Sequence, residues 1–180
     1  MRKTSLLLIA LLALGARAGA QESPYAQEAP RSIAALSDQE VADLLDGAGM
    51  GFARAAELNG VPGPRHVLDM AAQLELSAPQ RELIAEVFTR MQTRARRLGT
   101  AIVEQERELD LLFEHGQAAV PEVTRRTLEL GRLYGELRGV HLAAHLETAA
   151  LLEDRQIARY NELRGYATTA PDAAAAHEHH

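Results

Sequence analysis

Apolar residues between Ser77 and Glu114 recur in alternating steps of four and three: Ile84, Phe88, Met91, Ala95, Leu98, Ile102, then Leu109 and Leu112, with Gln105 as the one polar interruption. That spacing holds a narrow apolar stripe on one side of an α-helix, as a heptad seam does. The pattern predicts one long helix over residues 77–114, which at 1.5 Å per residue runs for about 55 Å. A compact domain of 180 residues has little room for such a rod, so an extended helical hairpin or a dimer is expected. His115-Gly116-Gln117 closes the helix, and Pro121 suits the first turn of the next. There Leu130, Leu133, Tyr134, Leu137, Val140, His141 and Ala144 make a second apolar stripe.

Shorter elements flank this pair. Ser37-Asp38-Gln39-Glu40 has the spacing of a capping box and opens a helix through Leu45. Gly47-Ala48-Gly49-Met50-Gly51 interrupts it, and a second piece runs from Phe52 to Leu58. Asn59-Gly60-Val61-Pro62-Gly63-Pro64 reads as a turn, followed by a short helix from Val67 to Leu74. A last helix over Arg155 to Leu163 ends at Arg164-Gly165-Tyr166. Residues 21–36 hold two prolines among polar groups and read as a disordered lead-in; residues 167–180 read as a flexible Ala/His-rich tail. The fold class is therefore all-α, with a single helical domain over 37–166.

The first twenty residues add a compartment. Arg2 and Lys3 precede the apolar stretch Ser5 to Leu14, and Ala18-Gly19-Ala20 has the small residues of a cleavage site, which predicts a signal peptide cut after Ala20. The apolar run is too short to span a bilayer, so a periplasmic or secreted protein without membrane insertion is expected. Cleavage would remove three of the 19 basic residues and none of the 25 acidic ones. An acidic chain of this kind is a poor nucleic-acid binder. There is no cysteine and no tryptophan, and only 4% of residues are aromatic. The core must come from Leu, Ala, Ile and Val, and any metal site must use His, Asp, Glu or Met.

Candidate chemistry is sparse. His141 and His145 are four apart on the second long helix, so their rings can lie over one another and share Zn, Cu or Ni. The plainer reading is that His141 fills a seam position and His145 flanks it. His177, His179 and His180 form a terminal tract that binds such ions loosely. Arg90, Arg94 and Arg97 make a basic stripe beside the seam, with Arg96 adjacent. A solvated face paired with neighbouring acids is the plainer reading, yet four arginines fall here with no acid between them. Glu57 to His66 is dense in Pro and Gly and reads as a structural corner between helices, with the positioning of His66 and Glu57 as the alternative. No nucleophile elbow, phosphate loop or paired-carboxylate motif is present, so an enzyme is not expected and no cofactor is required.

One short phrase occurs twice, as Leu76-Ser77-Ala78-Pro79-Gln80 and Leu152-Glu153-Asp154-Arg155-Gln156. In the first copy Ser77 and Gln80 form a capping box, with Pro79 in the first turn. In the second, Glu153 replaces the hydroxyl residue and is a poor N-cap, although Gln156 keeps its place and the phrase should mark a bend near residues 150–154. Twin phrases behind an export signal, bracketing a helical hairpin, resemble the Spy/CpxP (LTxxQ) family of periplasmic stress proteins. The ending Ala158 to Tyr166 adds to the resemblance, which covers about residues 45–166. Members are all-helical and often form antiparallel, cradle-like dimers. Some are ATP-independent chaperones; others restrain a membrane sensor kinase or respond to zinc, copper, nickel or cobalt. The resemblance implies a homodimer that captures unfolded or misfolded envelope proteins, with Arg90, Arg94 and Arg97 as the client-binding surface by position. It implies Ser77, Gln80 and Gln156 as helix caps. A heavy-metal sensor or resistance protein, or a partner of a sensor-kinase periplasmic domain, is the alternative.

Overall fold

The computed structural model describes Ser23, Tyr25 and residues 31–166. The expected signal peptide and the tail with His177, His179 and His180 lie outside the described residues. Among the described residues six helices follow in order: α1 (Asp38–Asp46), α2 (Arg54–Glu57), α3 (Pro64–Asp69), α4 (Ala78–Glu114), α5 (Val120–Ala149) and α6 (Asp154–Arg164). Among the described residues there is no named strand, so the all-α expectation holds. α4 spans 37 residues and α5 spans 30, and they form the expected antiparallel hairpin.

Ala95, Leu98 and Ile102 of the predicted α4 seam are buried against Leu130, Leu133, Leu137 and Val140 of α5 and against neighbouring segments, while Ile84 is buried in a second cluster. Gln105 breaks the seam because Arg126 enters from α5. Its guanidinium is mostly covered, bonds Glu122 at 2.8 Å and Gln105 at 3.5 Å, and pairs with Glu108. A charged pair at that level needs an amide beside it rather than another leucine.

α1 lies across α4, and two glycines set the distance. A Cβ on Gly99 would stand 1.9 Å from the Leu44 carbonyl oxygen, so only glycine lets the helices cross this closely. Gly47 ends α1 in the left-handed conformation, with φ 68°. Arg96 then ties that end down, bonding the Asp46 carboxylate at 2.6 Å and its carbonyl at 3.1 Å.

The chain departs from the sequence reading in three places. The lead-in expected over 21–36 does not extend to its end: Ile33 and Leu36 are buried in the hairpin core, and Ala34 N–H donates to Asp110. Two such side chains contribute roughly 1.5–3 kcal/mol each on burial, enough to order a short segment. The short third helix starts at Pro64 rather than Val67 and stops at Asp69, because Pro64 takes the first-turn position and an irregular turn follows. The helical piece expected from Phe52 shrinks to Arg54–Glu57.

Below the hairpin core a second apolar cluster gathers Val67, Leu74, Leu76, Ile84 and Tyr160. α5 stops without Gly or Pro. Its last turns tighten, with Leu151 N–H on Thr148 O and Leu152 N–H on Ala149 O, before Glu153 turns extended and α6 begins. The expected bend is therefore present.

Candidate functional site: a glutamine clasp, a histidine-lined cavity and an arginine edge

The two copies of the repeated phrase meet. Gln80 Nε2 donates to Gln156 Oε1 at 2.9 Å, and Gln156 Nε2 donates back to Gln80 Oε1 at 3.2 Å. Each Oε1 also accepts the backbone amide of its own N-cap, Ser77 at 3.1 Å and Glu153 at 2.9 Å. Each Nε2 also donates to a carbonyl beside the other phrase, Gln80 to Leu151 at 2.9 Å and Gln156 to Leu74 at 3.1 Å. Both amides are thus nearly saturated, and Gln156 is 2% exposed. Three predicted caps are confirmed in place, but Gln80 and Gln156 do more than cap: they tie the start of α4 to the start of α6. Glu153 directs its carboxylate at Arg155, 2.6 Å away, and the cap amide is served by Gln156. The single-sequence reading saw two caps and had no signal that they touch.

His141 and His145 are both buried, one turn apart on α5. His145 Nδ1 lies 2.9 Å from the Val61 carbonyl, and its ring lies against Gly63, where a Cβ would sit 2.6 Å from it. Asn161 Nδ2 donates to Gly60 O. The Pro/Gly corner is therefore held from two helices, as the structural reading of that turn expected. His141 stacks on Phe52 with ring centres 5.8 Å apart and planes at 16°. It is 3% exposed, and its Nε2 has no hydrogen-bond partner. Burial pushes the His141 imidazole below its ordinary value, helped by neighbouring His145.

Both rings form part of the wall of a half-open cavity of about 530 Å³ between the glycine-rich turn, α2, α3, α4 and α6. Met50, Phe88 and Met91 supply apolar wall; Arg54, Glu57, His66 and Arg164 supply polar wall. Glu57 accepts the Tyr160 hydroxyl on both oxygens and stands 4.0 Å from His66 Nε2 and 3.9 Å from Arg164. Burial holds His66 below its ordinary value, with the Arg164 charge adding to the effect. Tested as a metal site, the pair offers one free nitrogen on His141 and the second nitrogen of His145. Among the described residues, no group of three or more His, Asp or Glu is placed to hold an ion. Thioether ligands from Met50 or Met91 would have to complete a set.

The arginine stripe divides. Arg90 reaches across the hairpin to Glu147 at 2.8 Å and to Glu86 at 3.9 Å, and Arg96 serves Asp46. Arg94 and Arg97 are exposed and have no acid partner among the described residues. They continue the α4 edge beyond the Arg90–Glu147 tie.

The sequence reading missed the outer face of α5. Leu128, Gly131, Gly135, Gly139, Leu142 and Leu146 recur at helical spacing there. Leu128 is 71% and Leu146 64% exposed, and a Cβ added at any of the three glycines would meet nothing within 4 Å. Glycine in a helix interior costs about 1 kcal/mol relative to alanine, and no contact within the chain requires these three. The signal was available as Gly at every fourth position opposite the buried stripe.

No family model matches the chain, and no curated protein or solved structure matches it significantly. No helix among the described residues is long and apolar enough to cross a membrane.

Proposed function

We propose that this protein is an ATP-independent, chaperone-like envelope-stress protein of the Spy/CpxP type, which holds partly unfolded proteins in the periplasm. The observation that carries the reading is the exposed, unpaired Arg94 and Arg97 on α4 together with the exposed apolar strip on the outer face of α5. By helix phase, Ala143, Leu146 and Gly139 follow Glu147 around α5 on the side that Arg90 reaches. Exposed apolar groups and unpaired guanidinium groups on one hairpin suit a chain that exposes both hydrophobic and acidic segments. Such contacts are individually weak and repack readily, which favours breadth over selectivity. The paired glutamines support the family reading, because they give both copies of the phrase one shared structural role. A homodimer that uses the α5 strip fits the same surface.

The test is light scattering from an aggregating, unrelated unfolded protein with the purified chain added and no nucleotide. Suppression near equimolar ratio is expected; no suppression at several-fold excess would end this reading. A heavy-metal sensor is the second reading, and the unpartnered His141 Nε2 in a cavity wall with two methionines is what favours it. Calorimetric titration with Zn, Cu or Ni tests it. Affinity that is unchanged by His141→Ala and His145→Ala together would remove the helix site.

A further inference from the structure

The cavity wall carries an unpaired charge and two buried nitrogens without partners, His141 Nε2 and Arg164 Nε. Of the charged groups that line it, Asp46 is paired with Arg96, Arg65 with Asp69, and Glu57 with Arg164 and the Tyr160 hydroxyl. Arg54 has no acid partner among the described residues. Its guanidinium lies over Gly51, 3.5 Å from where a Cβ there would stand, so the glycine-rich turn leaves room for it at the wall. His141, 3% exposed, has an Nε2 without a partner. Buried polar atoms are nearly always satisfied, and one that is not calls for an explanation such as a missing ligand. Phe88, Met91 and Met50 add apolar wall. A volume of about 530 Å³ falls within the range of sites for small organic molecules.

We propose that this cavity binds a small apolar monocarboxylate, an aromatic ring or short hydrocarbon bearing one acid group. The Arg54 guanidinium takes the carboxylate, Phe88 and Met91 take the apolar body, and His141 Nε2 bonds a polar atom of the ligand. A single unpaired cation on the wall selects one negative charge over none. Polyanions are disfavoured by Glu57 and Asp46. The site is distinct from the Arg94–Arg97 edge and does not depend on client capture.

The test is fluorescence titration of the purified chain, in the presence of a chelator, with 2-naphthoate and its uncharged counterpart 2-naphthamide. Saturable naphthoate binding is expected, with naphthamide weaker. Arg54→Gln should weaken naphthoate by about tenfold, the loss of one charge-assisted contact, and leave naphthamide unchanged. His141→Phe keeps the stacking on Phe52 and should weaken naphthoate severalfold, with the fold checked by circular dichroism. The proposal is overturned if naphthoate does not saturate, if Arg54→Gln leaves its affinity intact, or if binding appears only when Zn, Cu or Ni replaces the chelator. The last result would assign His141 to the metal reading instead.

Discussion

Removing the Gln156 side chain should be among the most destabilising polar changes in this protein. Gln156→Ala deletes four hydrogen bonds: Glu153 N–H to Oε1, Gln80 Nε2 to Oε1, and Nε2 to Gln80 Oε1 and to Leu74 O. A net value of about 1 kcal/mol per bond puts the loss at roughly 3–4 kcal/mol, with the buried Leu74 carbonyl left without this donor. Gln80→Ala should cost less, because Gln80 is only half-buried and water can reach its former partners. The two bonds that the amides share are counted in both single changes. The double variant should therefore fall short of the sum by about 1–2 kcal/mol, as coupled neighbours do. Urea unfolding followed by helical circular dichroism reads this, provided the transition midpoint shifts and its slope does not. Gln156→Glu keeps the volume and replaces the two donors by an oxygen facing Leu74 O and Gln80 Oε1. It should be destabilised at neutral pH and recover partly in acid, when the carboxyl regains a proton to donate. Strict additivity of the two alanine changes, or a neutral Gln156→Glu, would refute the clasp.

Gly99→Ala places a methyl group 1.9 Å from the Leu44 carbonyl. It should destabilise by about 1–3 kcal/mol as α1 is displaced from α4, measured by the same unfolding curves. Gly135→Ala meets open space and should stabilise the monomer by about 0.5–1 kcal/mol through helix propensity. Loss of a dimer in sedimentation at the same time would show that a second copy approaches the α5 strip. His141 and His66 are held below the ordinary histidine value by burial. The unfolded chain therefore takes up protons first as pH falls, so stability is intact above about pH 6.5 and declines as pH drops through the lower folded-state values. Thermal melts between pH 7 and 5 should show the decline, and His141→Phe should flatten it. Glu40, Glu122 and Glu129, whose carboxyls are held low by hydrogen bonds to Ser37, Arg125 and Arg132, add their own loss only at more acidic pH.

The helices were legible because their signals are local. Heptad spacing gave α4, Pro121 gave the start of α5, and Ser37 and Ser77 gave caps that the structure retains. What stayed hidden depends on partners distant in sequence. Gln80 and Gln156 read as separate caps, since nothing local says that two amides 76 positions apart will pair. Ile33 and Leu36 read as lead-in because two apolar residues in a polar stretch show no period, yet they fill the hairpin core. Gln105 looked like a flaw in the seam until Arg126 was placed beside it. His141 was recognised as a seam residue, and its burial on α5 matches that reading. The cavity it helps to wall draws on residues from each of α1 to α6 and from the glycine-rich turn, and has no sequence signature. Arg90, Arg94 and Arg97 looked equivalent, and the pairs with Glu147 and Glu86 separate the first from the other two.

That separation provides the most direct test of the proposed function. Aggregation of an unfolded protein should be followed by light scattering with wild type, with Arg94→Gln/Arg97→Gln, and with Arg125→Gln/Arg132→Gln, whose arginines are engaged by Glu122 and Glu129. Both double variants remove the same charge. The account predicts that wild type and the second variant protect alike while the first protects several-fold less. Equal protection by both variants, or protection by none of the three proteins, would contradict it.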